Sequence, residues 1–593
     1  MMETKETIYR AESQELEKEF WDRMDVAPET LNDFLEVAVK TYPDSPFMGK
    51  AMGEPMTYKE YYNRVLTVAD LLLSEGVMQE DKVAILGENS PNWSIAYFAI
   101  QKIAGIAIPI LPDFPESDIR HILCDSEAKI LFVTQRQFEK IGDLDNTKVK
   151  IIIFLDDFET ENLELKSGTL SLKVETLTNV VERARNFMTR VQETIGLKSR
   201  EIKASDTASI IYTSGTSGAS KAVMLSHRNF IANVTAMNLL IQLDQGSTSL
   251  SILPLPHVYE FTLGLLLPIS FGGRIVYPGK PPTPTMLEKV CKVERPNVIC
   301  AVPLILEKIY KKKVLPVLEK GAMVKVLTKI PGVKQKIYGK IRDKLLEFFG
   351  GQLEVMSIGG APFNLEAEKF FRGCGFPYLV GYGLTETSPL LAGGPWLDKS
   401  IKIASTGKVT PGCEIKIMDA DPQTGIGEIV ARGPNVMKGY YKNPEVTKEV
   451  LDEDGWFKTG DLGRFDKNLN LYITGRSKNM ILTANGENIF PESIEEKINA
   501  QLHVVESLVV ENNGQLEAWV YLDYDLIDSE TSGKSETQRH DYIHQILDGL
   551  RQSVNQQMAS FSKVVRMVEQ KEPFVKTATQ KIKRYLYSHN KDD

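Results

Sequence analysis

Hydrophobic positions along this chain follow two rhythms. Tyr62, Val65, Val68, Leu71 and Leu72 recur at helical spacing, so residues 60–85 read as helical, with Gly76 as a stop. Residues 81–112 then alternate strand, helix, strand: 83–86 and 106–110 are short β-rich runs, and 93–103 is an amphipathic helix between them. Residues 128–133 and 150–155 add two more strands. Such a βαβ rhythm predicts an α/β fold with a largely parallel sheet covered on both faces. The stretch 156–205 is charged and helical in pattern, and reads as peripheral.

Further along, 353–364 predicts a strand ending in Gly359-Gly360. The text from TGKVTPGCEIKIMD through GEIVARGPNVMKGYYKNPE to GWFKTGDLGRF is rich in short strands and predicts a compact β subdomain. From 472 the pattern changes, with Gly475-Arg476-Ser477-Lys478 as a polar break between apolar runs. Beyond it, about 115 residues suffice for a small α+β domain. The expected division is a large domain over 1–476, of layered and mostly parallel sheets, and a small C-terminal domain over 477–593. Within the latter, 525–540 (DLIDSETSGKSETQRH) reads as a flexible surface loop.

Composition narrows the function classes. With 593 residues, 42% hydrophobic and 25% charged, the chain is of ordinary globular type. A net charge of −9 argues against a nucleic-acid binder. Cys124, Cys291, Cys300, Cys374 and Cys413 are scattered without a CxxC pair, which suits buried thiols in a reducing cytosol. The N-terminus lacks an apolar h-region, so no signal peptide is expected. The best apolar run, LGLLLPISF, is too short to span a bilayer. The expected location is cytoplasmic. A basic block at 308–344 sets twelve Lys or Arg against Glu319 and Asp343, with apolar residues interleaved. It reads either as a solvated helical face or as a peripheral contact with an anionic membrane, at its inner face.

Candidate chemistry centres on IIYTSGTSGASKAVMLSHRN (210–229). An apolar run feeds Thr213, Ser214, Gly215, Thr216, Ser217, Gly218 and, three residues on, Lys221; a second apolar run and a helix cap at Ser226 follow. Small residues, hydroxyls, free N–H groups and one ammonium are what a loop needs to wrap phosphate oxygens. It joins strand to strand, unlike a Walker A loop, and its spacing differs too. A polar hairpin turn is the bland alternative. His257 and Glu260 precede a strongly apolar helix, as a satisfied loop histidine with its neighbour or as pocket residues. Glu386, between Thr385 and Thr387, is a hard oxygen ligand suited to Mg²⁺ held mainly through a nucleotide. Asp461, between glycines, suits ribose hydroxyls or merely a turn.

Taken together and in order, YTSGTSGASKAVMLSHRN, LPLPHVYE, GGAP, GYGLTETSP, GWFKTGDLG, GRSKNMI, NGENIFPESIE and VKTATQKIKR resemble the adenylate-forming superfamily. The wording LPLPHVYE and the long basic insertion resemble its long-chain fatty acyl-CoA synthetases. The resemblance runs from about residue 30 to 587. It implies a hinge at Lys478 between the two domains, and the substrates ATP, a fatty acid and CoA, with Mg²⁺. Thr213 to Lys221 would hold the β- and γ-phosphates; Gly360, Ala361 and Tyr382 would border adenine. Thr385 would contact the α-phosphate, Glu386 would ligate Mg²⁺, and Asp461 with Arg476 would bind the ribose. His257, Glu260 and Gly381 fall to the acyl pocket and Gly486 to the CoA channel. Lys581 would bridge the fatty carboxylate and the α-phosphate during adenylation. Ser220 and Ala222 stand where proline and glycine are usual, and Gln580 where a glycine is usual. Related expectations are an acyl carrier protein as acceptor, arrest at acyl-AMP, or a nucleotide-sensing protein without catalysis.

Overall fold

The computed structural model describes residues 7–11, 28–157, 160–166, 169–175, 201–213, 220–279, 283–319, 330–394, 398–482, 488–512, 514–558, 562–577 and 581–587. Two large sheets dominate. In the first, Ile106–Ile110, Lys82–Leu86, Ile130–Val133 and Ile151–Phe154 pair in parallel at the centre. Its seven-stranded companion is parallel from Tyr378–Val380 through Val355–Ile358, Val298–Ala301, Thr248–Leu250 and Arg274–Tyr277 to Pro46–Lys50. Met48 and Ile275 of one sheet and Val83, Ile85 and Val223 of the other share a single core with Phe34, Tyr61, Trp93 and Phe230 from four helices. Helices therefore fill the space between the sheets, the layered α/β arrangement that the sequence pattern predicts.

That layering corrects three expectations. The helix Pro91–Lys102 is buried at Pro91 and at every position from Trp93 to Gln101, so it is not amphipathic. Packed on both sides, it has no solvent face to leave polar. Its buried Gln101 donates from Nε2 to the Ala208 carbonyl at 3.0 Å. Within 156–205, Thr160–Lys166 and Thr169–Glu175 are strands, which pair antiparallel and extend the nine-stranded sheet at its edge. Leu163, Leu165, Leu170, Leu172 and Val174 alternate with polar residues, a period of two that the density of charge obscures. The segment 525–540 falls largely in the helices Tyr524–Glu530 and Glu536–Asn555, started by the Asp523 cap and a Ser535–Gln538 capping box.

The β subdomain is an antiparallel sheet in the order Tyr9–Arg10, Glu414–Met418, Gly427–Arg432, Phe457–Phe465, Leu471–Arg476. After it, Val504–Asn512, Gln515–Leu522 and Arg566–Gln570 form a sheet of their own. Ile494, Ile498, Val509, Val520, Ile543, Leu547 and Val554 build a separate core around it. All five cysteines are free, and four are buried. Among the described residues, no helix is long and apolar enough to cross a membrane.

Candidate active site

Thr207–Thr213 and Lys221–Ser226 form an antiparallel hairpin in which Thr213 faces Lys221, so the phosphate-type loop does join strand to strand. Ser226 caps the following helix through a capping box. Ser214, Gly215, Thr216, Ser217 and Gly218 lie outside the described residues, as does Gly486. Lys221 Nζ stands 4.6 Å over the Tyr440 ring. Tyr440 reaches this place because Gly439–Tyr440 pairs with the hairpin's second strand. Its hydroxyl donates to Glu386 Oε1 at 2.9 Å. Burial draws the Lys221 ammonium below its ordinary pKa; Glu386 opposes this, while Lys478 and Arg476 add to it.

Glu386 sits in the short turn Thr385–Thr387. Asn233 and Asn435 both donate to the Thr387 carbonyl, at 2.9 and 3.0 Å, and the Met437 N–H donates to the Glu386 carbonyl at 2.8 Å. The backbone of the turn is thus fixed from two sides. Among the described residues, no donor other than Tyr440 bonds the Glu386 carboxylate. No group of three His, Cys, Asp or Glu that could cage a metal is found among them. A single carboxylate with an open oxygen fits a hard cation that takes its other ligands from phosphates and water.

Asp461 and Arg476 are opposite partners on adjacent strands, Phe457–Phe465 and Leu471–Arg476. Arg476 Nε lies 2.9 Å from Asp461 Oδ1, and the Tyr382 hydroxyl donates to Oδ2 at 2.8 Å. Burial pushes the Asp461 carboxyl up, and the guanidinium opposes the rise. Lys478 follows immediately, in the turn Ser477–Asn479, and the Ser477 hydroxyl donates to the Gly460 carbonyl at 3.1 Å.

Lys581 comes to this group from the C-terminal segment. Burial and then Arg476 lower its pKa, while Asp461 and Glu386 raise it. Protein surrounds the residue on many sides, yet its own surface remains exposed, so water screens part of these interactions. Among the described residues only its backbone is tied: the Thr577 N–H donates to the Lys581 carbonyl at 2.8 Å, and the Lys581 N–H donates to Thr577 Oγ1 at 3.2 Å. Lys576, at the start of the same motif, is ion-paired with Glu506.

On the far side, Gly360 adopts a φ of +85° and is exposed with Ala361. A side chain at Gly359 would meet the Tyr259 ring at 3.3 Å, and the Tyr259 hydroxyl donates to Ser357 Oγ at 2.9 Å. A Cβ at Gly381 would fall 2.8 Å from Leu390 Cδ1. His257 is pushed down to about 4 by burial and by Lys581, and so stays neutral. Glu260 opens the π-helix Glu260–Leu266 and is fully buried. Its carboxyl folds against Gly264, where a Cβ would lie 2.2 Å from Oε1. Burial pushes it up to about 8; Ser251 and the Leu253 backbone temper the rise without bonding to either oxygen.

The structure therefore brings Lys221, Tyr382, Glu386, Asp461, Arg476, Lys478, His257 and Lys581 into mutual electrostatic or bonded reach. Sequence reading missed Tyr440, Asn233 and Asn435. The aromatic pair in KGYYKNPE was the available signal for Tyr440; the two asparagines carry none.

The profile described as AMP-binding enzyme matches residues 35–441. The long-chain-fatty-acid–CoA ligase heimdall of Drosophila melanogaster is 30% identical over 520 residues, covering 82% of this chain and 75% of that protein. The peroxisomal long chain acyl-CoA synthetase 6 of Arabidopsis thaliana is 28% identical, over 88% of this chain and 77% of its own. The crystal structure of the anthranilate CoA ligase AuaEII in complex with anthranoyl-AMP superposes with a TM-score of 0.72 at 18% identity, covering 95% of this chain and 97% of that one. The chain belongs to the AMP-binding enzyme family and, within it, to the long-chain fatty acid–CoA ligases.

Proposed function

We infer that the chain activates a long-chain fatty acid with ATP, as acyl-AMP, and transfers the acyl group to CoA, releasing AMP and diphosphate. The observation that carries this reading is the meeting of Lys581 with the Asp461–Arg476–Tyr382 triad and the Glu386–Tyr440 pair. Asp461 accepts from the ribose hydroxyls, with Arg476 and Tyr382 holding its carboxylate in place. Gly360, Ala361 and Tyr382 border adenine, Thr385 donates to the α-phosphate, and the loop Thr213–Lys221 surrounds the outer phosphates. Glu386 is the Mg²⁺ ligand; the cation when bound neutralises phosphate charge.

A fatty carboxylate and the α-phosphate are both anionic and repel. The Lys581 ammonium lies between them and stabilises the charge that builds up as the carboxylate oxygen attacks phosphorus. Its carboxylate neighbours, Asp461 and Glu386, favour the charged form against burial. The neutral His257 adds no charge beside the incoming acid. His257, Glu260 and Gly381 belong to the acyl side.

We divide the chain into a large domain, 1–476, and a small one, 477–593, hinged at Lys478. Rotation there withdraws Lys581 and opens the CoA channel near Gly486, so one hinge serves both half-reactions. The test is an assay of ATP-dependent thioester formation over carboxylates of graded length. Equal amounts of AMP, diphosphate and acyl-CoA, with long chains preferred, are expected. Acid-independent ATP hydrolysis, or no product with any carboxylate, contradicts the reading.

A further inference from the structure

Within the basic block, Lys311 is tied to a distant part of the chain. Lys311 lies in the π-helical turn Tyr310–Val314, and its ammonium reaches across to the C-terminal segment. It donates to three carbonyls there: Asn499 at 2.9 Å, Val504 at 2.9 Å and Gln501 at 3.3 Å. An ammonium has three protons, so its donor capacity is filled. Asn499 is the last residue of the helix Pro491–Asn499, whose terminal carbonyls lack partners within the helix and carry its partial negative charge. Lys311 is thus a cap supplied from a different sheet system, 188 residues away in sequence. Burial lowers its pKa, and Glu307 and Asp523 oppose the fall. By contrast, Lys312 and Lys313 next to it make no ion pair or hydrogen bond with the described residues.

The same segment carries Lys581. Arg584, three residues beyond it, is ion-paired with Glu495 of the capped helix. Holding that helix therefore also holds the strand-like stretch that presents Lys581 to Asp461 and Glu386. We propose that Lys311 is a positioning residue that latches the small domain in the adenylating arrangement, and that it must let go before CoA can attack. The latch is suited to release, because the ammonium and all three carbonyls are polar groups that water can satisfy once they part. An apolar contact of similar extent would resist opening and would carry no directional preference.

This inference rests on the reading of Lys581 as the adenylation lysine, so the test separates the two half-reactions. In the full-length chain, Lys311→Met keeps the apolar stem and removes the donors; Lys311→Arg keeps charge and donors. Acid-dependent ATP–pyrophosphate exchange reads adenylation, and conversion of synthetic acyl-AMP to acyl-CoA reads thioester formation. Lys311→Met should slow the first about 10-fold in kcat with little change in the KM for ATP, the scale of a lost charge-assisted hydrogen-bond set. The second should be unchanged or faster. Lys311→Arg should recover most of the exchange rate, and amide hydrogen exchange across 499–504 should quicken in the Met variant alone. Equal slowing of both steps, or no change in either step or in amide exchange, overturns the latch. If the wild-type chain performs neither half-reaction, the functional reading itself fails.

Discussion

Two parts of the site differ in how their charges are held. On one side the acidic groups are tied: Asp461 to Arg476 and Tyr382, Glu386 to Tyr440, and the turn under Glu386 to Asn233 and Asn435. On the other side Lys581 has its backbone fixed, but its ammonium bonds to none of the described residues. In the proposed reaction the tied side is preorganised to receive a nucleotide, and the lysine is free to meet two anions and to leave again. Preorganised groups lose little on binding and act early; a free charge on a movable segment can act in one step and be absent from the next.

The largest effect on the tied side is expected at Asp461. Asp461→Ala removes the ribose acceptor and leaves the Arg476 guanidinium without its partner. A loss of about 3 kcal/mol in kcat/KM for ATP follows, roughly a hundredfold or more. In the proposed role the carboxylate holds the nucleotide in both ground and transition states, so the KM for ATP should rise more than kcat falls. A fall confined to kcat would mean that the tied side is not where ATP is held.

Glu260 offers a sharper comparison, since it is buried yet untied. Its value of about 8 lies above the 4.5 of an ordinary glutamate. Below pH 4.5 both folded and unfolded states hold the proton, so the residue then contributes no pH dependence. Between 4.5 and 8 only the unfolded state releases it, so stability falls as pH rises and levels off above 8. Glu260→Gln removes this loss and should raise stability at pH 8 relative to pH 5 by about 3–4 kcal/mol over the wild-type difference. Thermal melts at the two pH values measure it. Parallel pH dependence in the variant and the wild type would show that the carboxyl finds solvent or a partner.

The smallest effect is expected at Tyr440. Tyr440→Phe keeps the ring beneath Lys221 but deletes the hydroxyl's bond to Glu386 and the long one, 3.4 Å, that it accepts from Lys221, costing about 1 kcal/mol. A Mg²⁺ titration of turnover should show a raised requirement with near-normal maximal rate. Glu386→Gln should lose more than Tyr440→Phe in the same titration; the reverse order would remove Glu386 from the metal.

Much of this was legible before the structure, and the exceptions have physical causes. Glycine-flanked Asp461 and the hairpin around Lys221 stand out because loops need glycines and small polar residues to approach a ligand. That Asp461 pairs with Arg476, fifteen residues on, emerges only from strand register. Tyr440 sits in a two-residue edge strand too short to leave a pattern. The helix Pro91–Lys102 looked one-sided because a sequence does not tell which layers will cover its second face. Lys311 was hidden by its own neighbours: in a run of lysines, composition cannot single out the one that meets a helix end.

The central claim is that the free lysine serves only the first of two reactions, and Lys581→Ala tests it most directly. Acid-dependent ATP–pyrophosphate exchange should fall by roughly a hundredfold or more, the scale of about 3 kcal/mol for a charge lost where two anions meet. Conversion of supplied acyl-AMP to acyl-CoA by the same preparation should stay near the wild-type rate. Loss of both steps in a variant with an unchanged melting temperature, or loss of neither, would contradict the account.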